Sequence, residues 1–189
     1  GRRLAVFLGD YFARPSKRSG AWMSEFQEQH RLATPLDQDG QTPIVVNVMN
    51  FAKAPAGESV LITMDDARTL FHEFGHALHG MLSDVTYPSI SGTSVSRDFV
   101  ELPSQLYEHW LTVPEVLQRF AIHHESGEAV PEALLDKMRA AAKFNKGFAN
   151  VEFTSSALVD MAFHSLDPAQ AASVDPMAFQ AEVLAGLQM

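Results

Sequence analysis

Two histidines separated by three residues lie near the middle of the sequence, in the segment HEFGH at 72–76. On an α-helix, side chains four positions apart share one face, so His72 and His76 can reach one metal ion while Glu73 lies beside it. The pattern H-E-x-x-H predicts a zinc site. The same short pattern also arises by chance, and both histidines would then be ordinary surface or core residues.

A catalytic zinc needs a third protein ligand and one open position for water. A metzincin would carry a histidine where this chain has Leu82, so that class is excluded. His79 lies too far along the helix from His72 to share an ion with it, and we expect a packing or supporting role for it. Glu101 is the best candidate, because the 25 residues after His76 allow a second helix to turn back. Its alternative role is that of an acid in the first turn of a helix.

Two further acids flank Glu101 at helical spacing. Asp98 lies three residues before it and Glu108 seven residues after it, on roughly the same predicted face. Either carboxylate could accept the ring N–H of a ligating histidine, which would fix the orientation of that ring.

We expect structural roles for the remaining histidines and for the tryptophans. His123 and His124 lie beside Glu125 near a predicted helix end, where solvated side chains are expected rather than a second metal site. Trp22 and Trp110 are expected to lie in the core or at a contact with another lobe.

The spacing of apolar side chains predicts the elements that must position these residues. From residue 64 onward apolar residues recur every three or four positions. This spacing predicts helices at 65–80, 98–112, 114–125, 131–146, 150–165 and 176–187. Thr63 and Asp66 predict a capping box at the start of the first helix, with Gly80 near its end. The Ser-, Thr- and Gly-rich segment 83–98 predicts an irregular connection with one short strand.

Two runs rich in β-branched and aromatic residues predict strands at 4–12 and 43–52, with a looser segment between them. An exposed edge of the second strand could bind an extended peptide, although an ordinary core strand fits equally well. The predicted fold is mainly α, of the α+β type. It has a small N-terminal sheet at about 4–52 and a helical metal-binding part at about 63–189.

The composition excludes several classes of function. The 189 residues contain no cysteine, so thiol chemistry is excluded and any metal must bind through His, Asp or Glu. The formal charge of −9 and the lack of a Lys/Arg cluster predict no nucleic-acid partner. No apolar run approaches the ~20 residues that span a bilayer, so we expect no membrane partner and a soluble, cytoplasmic protein. The chain begins at Gly1 without Met, as a piece of a longer protein would, and a targeting segment would lie outside it.

Longer segments of the sequence resemble the thimet oligopeptidase family of zinc metallopeptidases, and in particular its bacterial peptidyl-dipeptidase branch. The resemblance covers nearly the whole chain. It is carried by GAWM at 20–23, HEFGHALHG at 72–80, SGT at 91–93, RDFVELPSQLYEHW at 97–110 and MRAAAKFNKG at 138–147.

The resemblance implies one zinc ion held by His72, His76 and Glu101, with Glu73 as the catalytic glutamate. It also implies short peptide substrates and release of C-terminal dipeptides, with internal cleavage as the alternative. Residues 1–189 would then be part of a helical, zincin-like catalytic lobe, and the remainder of the full-length peptidase would be its partner. In the family, a later segment supplies a Tyr and a His that hold the substrate. That segment is not among these residues, so the chain alone is expected to bind zinc yet cleave poorly.

Overall fold

The chain divides into two compact units, residues 1–129 and 130–189. A computed structural model describes residues 3–33 and 40–187. Helices dominate the described residues, and a small sheet forms near the N-terminus. This confirms the predicted fold class.

The elements of each unit follow in chain order. Within its described residues, the first unit contains β1 (Val6–Phe12), β2 (Trp22–Gln27), β3 (Ile44–Phe51), α1 (Met64–Met81), α2 (Arg97–Val100), α3 (Leu102–Glu108) and α4 (Pro114–Phe120). The second unit contains α5 (Glu132–Lys143), α6 (Lys146–His164), α7 (Pro168–Ser173) and α8 (Pro176–Gly186).

The sheet places β3 in the centre, with β1 parallel to it on one side and β2 antiparallel on the other. Val45 and Met49 on one face of β3 and Val46 and Val48 on the other are all buried, which fits a central strand covered on both faces. The prediction of an exposed, peptide-binding edge on 43–52 is therefore wrong, because both edges of β3 are paired. The edge strands are β1 and β2.

Strand β2 falls in the segment where the sequence predicted no regular element. A half-buried strand normally alternates apolar residues inward with polar residues outward. In β2 the order is reversed at its C-terminal half, where Glu25 is half-buried and Phe26 is 71% exposed. This reversal hides the strand from a pattern-based prediction.

Helix α1 begins and ends where its sequence signals predicted. The hydroxyl of Thr63 accepts the N–H of Asp66, and the carboxylate of Asp66 accepts the N–H of Thr63, which completes the capping box. One face of α1 packs on the sheet, with Phe74 edge-on to Phe7 of β1 at 5.2 Å between ring centroids. The capped start fixes where α1 begins, and the face of the helix that carries His72 and His76 follows from it.

The predicted helix 98–112 is interrupted. It is divided into α2, α3 and a 3₁₀ turn at His109–Thr112, with Glu101 at the junction of the first two. Pro103 explains the interruption, because it lacks an N–H and its ring clashes with the carbonyl four residues earlier. Tyr107 of α3 then packs against Phe71 and Phe74 of α1, at 5.5 and 5.7 Å between ring centroids.

Three other features of the helical part differ from the predictions. The connection 83–98 contains a 3₁₀ turn at Pro88–Ile90 and no strand, and α4 ends at Phe120 rather than at 125. Asn145 adopts a left-handed conformation (φ 53°), which separates α5 from α6 and starts α6 at Lys146 rather than at 150. Asn tolerates this conformation better than most residues.

Within the second unit, α6 and α8 pack together through Phe163 and Phe179, at 4.9 Å between ring centroids. Helix α7 was not predicted, and a capping box between Asp167 and Gln170 starts it. The prediction of a helix at 176–187 is confirmed by α8. Across residues 3–33 and 40–187, every helix is too short or too polar to cross a lipid bilayer.

Candidate metal centre

The two histidines of HEFGH share one face of α1, as their spacing predicts. Their ring centroids lie 4.9 Å apart with the ring planes at 84° to each other. The side chain of His76 is 11% exposed and that of His72 is 25% exposed. Both rings therefore lie near the floor of a cleft and remain open to it on one side.

Glu101 approaches both rings from the junction of α2 and α3. Its Oε2 atom lies 3.2 Å from Nε2 of His72 and 3.2 Å from Nε2 of His76. The three side chains thus bring one ligand atom each to the same point, in a group whose ligand atoms all lie within 4.8 Å of one another.

These distances fit a divalent metal ion. Zinc bonds of about 2.0–2.1 Å in a tetrahedral site place ligand atoms about 3.3–3.4 Å apart. The ring of His72 also faces carboxylates on both sides, with Nδ1 at 2.8 Å from Oε1 of Glu108 and Nε2 near Glu101. A neutral imidazole carries one ring hydrogen, so it can satisfy one of these contacts and a cation at Nε2 would satisfy the other.

Glu108, on the last turn of α3, is the acid that orients His72. Its other oxygen lies 4.0 Å from Nε of Arg68, which stands one turn before His72 on α1. Asp98 is exposed to solvent and does not have this role. Of the two acids that the sequence offered, the structure brings Glu108 to the histidine.

Glu73 is buried, with 7% of its surface exposed, and lines the cleft beside both histidines. Burial raises the pKa of its carboxyl; nearby His72 opposes this shift and the negative charge of Glu101 adds to it. A carboxylate with a raised pKa is a better acceptor for a proton near neutral pH.

The pKa shifts of His76 and Glu101 favour metal binding. Burial lowers the pKa of His76, which favours the neutral ring that a metal requires. Burial opposes ionisation of Glu101, but the hydroxyl of Ser104 and the two imidazoles outweigh it and hold the pKa of that carboxyl below its usual value.

The sequence of the whole chain was also compared with known proteins. The model of peptidase family M3 matches residues 1–185. This chain belongs to peptidase family M3. The match confirms the resemblance that the motifs carried.

Three relatives of this M3 chain illustrate the similarity. Dipeptidyl carboxypeptidase of Escherichia coli strain K12 is 49% identical over 171 residues, covering 90% of the chain and 24% of the relative. Oligopeptidase A of Salmonella typhimurium is 40% identical over 170 residues, covering 89% and 25%. Thimet-like oligopeptidase of Dictyostelium discoideum is 37% identical over 168 residues, covering 88% and 24%. The chain spans about a quarter of the length of these curated relatives.

The M3 chain forms a cleft around the cluster, and the sequence predicts only part of its lining. The cleft has a volume of about 420 Å³, and its wall includes Ala21, Trp22 and Met23 at the start of β2, together with Thr93 and Val100. Trp22 was expected to be a core or lobe-contact residue; it is half-buried and lines the cleft, and its contact with another lobe stays a prediction. The GAWM motif was the available signal for this wall.

Helices α1 and α3 of the M3 chain meet at a very close contact beside the cluster. A Cβ atom added to Gly75 would lie 2.6 Å from Cα of Ser104 and 2.7 Å from the carbonyl oxygen of Pro103. Only glycine permits this approach of the two backbones. The contact brings the start of α3, and Glu101 before it, against the histidines.

His79 and the pair His123 and His124 are weaker candidates for a metal site. His79 packs against Phe99, at 6.1 Å between ring centroids, which agrees with a packing role. His123, His124 and Glu125 form a second cluster of possible ligands, but all three are exposed. Nδ1 of His123 accepts the N–H of Ser126 at 3.2 Å, so one of its two ring nitrogens is already engaged.

A larger cavity of about 590 Å³ lies at the C-terminal end of α1 and contains none of the predicted site residues. Arg31 and Asp84 line it and already form an ion pair with each other.

Proposed function

We propose that this chain carries the zinc centre of a peptidase that hydrolyses short peptides. One observation carries the proposal: His72, His76 and Glu101 direct their ligand atoms to one point, and Glu73 lies beside it. Membership of family M3 supports the same reaction. A structural zinc site would need four protein ligands, whereas three converge among residues 3–33 and 40–187, which favours the catalytic type with an open position.

His72, His76 and Glu101 would hold the ion, and Glu108 would hold His72 in the orientation that directs Nε2 into the cleft. When bound, zinc lowers the pKa of water and polarises a carbonyl group. Glu73 would accept the proton of the water that attacks the scissile carbonyl, and would then deliver that proton to the leaving amine. Its buried position beside the cluster suits both transfers.

The substrate would bind along the first residues of β2. This strand is an edge of the sheet, and residues 21–23 line the cleft that contains the cluster. An extended peptide can add to an edge strand by backbone hydrogen bonds, which are independent of its sequence. The scissile carbonyl would then lie in the cleft near Glu73.

We further propose that the complete enzyme releases dipeptides from the C-terminus. The chain is more similar to dipeptidyl carboxypeptidase of E. coli (49% identity) than to oligopeptidase A of S. typhimurium (40% identity), which supports this choice over internal cleavage. Mass spectrometry of the products from a ten-residue peptide distinguishes the two. Dipeptides from the C-terminus support the proposal, and internal fragments of other lengths contradict it.

The experiment that tests the peptidase function uses the full-length protein that contains this chain. The chain spans about a quarter of the length of its relatives. Substrate-binding groups outside it are therefore expected to supply most of the cleavage rate that the metal centre alone does not give. We expect the full-length protein to cleave short peptides, to lose activity with a chelator and to regain it with Zn²⁺. A full-length protein that cleaves equally well after metal removal would contradict the proposal.

A further inference from the structure

Ser104 is a fully buried polar residue in the first turn of α3, three positions after the third ligand candidate. Its hydroxyl oxygen lies 2.8 Å from Oε2 of Glu101 and 2.9 Å from the backbone oxygen of the same residue. Oε2 is also the atom that lies 3.2 Å from both histidine rings. Ser104 therefore contacts the one carboxylate oxygen that faces the metal position.

The hydroxyl has one hydrogen to donate, and the backbone oxygen of Glu101 already has a donor. The N–H of Gln105 bonds to that oxygen at 3.0 Å. The carboxylate is the stronger acceptor, because it is charged and lies in a partly buried place. The hydroxyl of Ser104 therefore donates its hydrogen to Oε2 of Glu101.

We propose that Ser104 is a positioning residue for the metal centre: its hydroxyl holds the Glu101 carboxylate in the rotamer that faces His72 and His76. The inference rests on the proposed zinc function and deepens it. Half of the Glu101 side chain is exposed, so the carboxylate would otherwise rotate into solvent. The hydrogen bond from Ser104 opposes that rotation before any ion binds.

The close contact between α1 and α3 does not explain why residue 104 carries a hydroxyl group. At Gly75 the crowded atoms are Cα of Ser104 and the carbonyl oxygen of Pro103, which belong to the backbone. Alanine at 104 keeps these atoms and the small size of the side chain. The variant Ser104→Ala therefore removes the hydrogen bond and leaves the helix contact in place.

Ser155 on α6 provides a matched control. It is also buried, and its hydroxyl bonds to the backbone oxygen of Glu152, three residues earlier, at 2.8 Å. It shares the local geometry of Ser104 and lies outside the metal cluster. Ser155→Ala removes the same kind of backbone contact without touching a ligand.

The test measures the Zn²⁺ affinity of the purified 189-residue chain by competition with a chromophoric chelator. We expect Ser104→Ala to weaken binding by about 10-fold or more, within the range of 10–100-fold for groups that support a ligand. Ser155→Ala is expected to bind as the parent chain does. Equal affinity in the parent and in Ser104→Ala would overturn the inference.

A double-mutant cycle shows whether Ser104 acts through Glu101. In the background of Glu101→Ala, the further change Ser104→Ala is expected to have no effect on Zn²⁺ affinity, because the carboxylate is gone. An equal loss in both backgrounds would overturn the inference in favour of a general packing role. A parent chain that binds no Zn²⁺ would overturn the proposed function as well, whereas normal binding by Ser104→Ala overturns only the positioning role.

Discussion

Nδ1 of His72 lies 2.8 Å from Oε1 of Glu108, in a contact that joins α1 to the last turn of α3. The acid fixes the ring so that Nε2 faces the cleft, and such partners typically contribute 10–100-fold to metal affinity. We expect Glu108→Ala to weaken Zn²⁺ binding by about that factor, and Glu108→Gln to weaken it less because the amide oxygen still accepts the ring N–H. Chelator competition measures both effects.

The exposed Glu115 on α4 provides the control for this change. Glu115→Ala removes a carboxylate of the same type from the same unit, away from the cleft, and should leave Zn²⁺ affinity unchanged. An equal loss of affinity in both variants would mean that net charge, and not orientation of His72, governs binding.

Replacement of Glu73 separates catalysis from metal binding. Glu73→Gln keeps the size of the side chain but removes its ability to accept a proton, and general-base assistance is worth about 10²–10⁴ in rate. We therefore expect kcat of the full-length enzyme to fall by about that factor while one Zn²⁺ remains bound. Full activity in this variant, or loss of its metal, would refute the role of Glu73.

Replacement of Gly75 tests the close approach of α1 and α3. In Gly75→Ala the new methyl group would lie 2.6 Å from Cα of Ser104, so the helices must separate, at a cost of about 1–3 kcal/mol. Separation also withdraws Glu101 from the histidines. We expect a lower free energy of unfolding in urea together with weaker Zn²⁺ binding.

Gly147 on α6 is the matched control, because a Cβ atom there meets no atom within 4 Å. Gly147→Ala adds the same methyl group in a helix with open space around it. It should stabilise the chain by about 0.5–1 kcal/mol and leave Zn²⁺ affinity unchanged. Similar losses in the two variants would show that the contact at Gly75 is not tight.

Glu25 on β2 makes the stability of the chain depend on pH. Burial raises the pKa of its carboxyl, the charge of Glu28 adds to this, and a hydrogen bond from the backbone of Thr93 works against it. The folded chain therefore binds a proton more tightly than the unfolded chain, so stability falls as pH rises from the usual carboxyl pKa through the raised one.

Glu25→Gln removes this titration. We expect the difference in melting temperature, variant minus parent, to increase as pH rises from about 4 to 7. This trend does not depend on the size of the difference at low pH. Thermal unfolding at several pH values measures the difference. Parallel curves for the two proteins across this range would contradict the raised pKa.

The parts of the fold that the sequence predicted are those with strong local signals. Strand β3 is rich in β-branched and other apolar residues, and α1 has both a capping box and helical spacing. Strand β2 was missed because Glu25 points toward the protein while Phe26 faces solvent. The interruption at Glu101 was missed although Pro103 could have indicated it.

The candidate ligands were predictable for a similar reason, whereas their surroundings were not. The spacing of His72 and His76 fixes their geometry within one helical turn, and Glu108 could be proposed as a support from its spacing to Glu101. The β2 wall depends on how distant segments pack, and the role of Ser104 depends on the rotamer of Glu101 at a helix junction that the sequence did not predict. The sequence contains the residues for these contacts but no periodic signal for the contacts themselves.

The central claim is that His72, His76 and Glu101 together bind one zinc ion. Metal analysis of the purified chain after incubation with excess Zn²⁺ and gel filtration tests it most directly. We predict about one zinc per chain, and close to none in His76→Ala measured alongside. A parent chain that emerges without zinc, or a His76→Ala variant that retains a full equivalent, would contradict the claim.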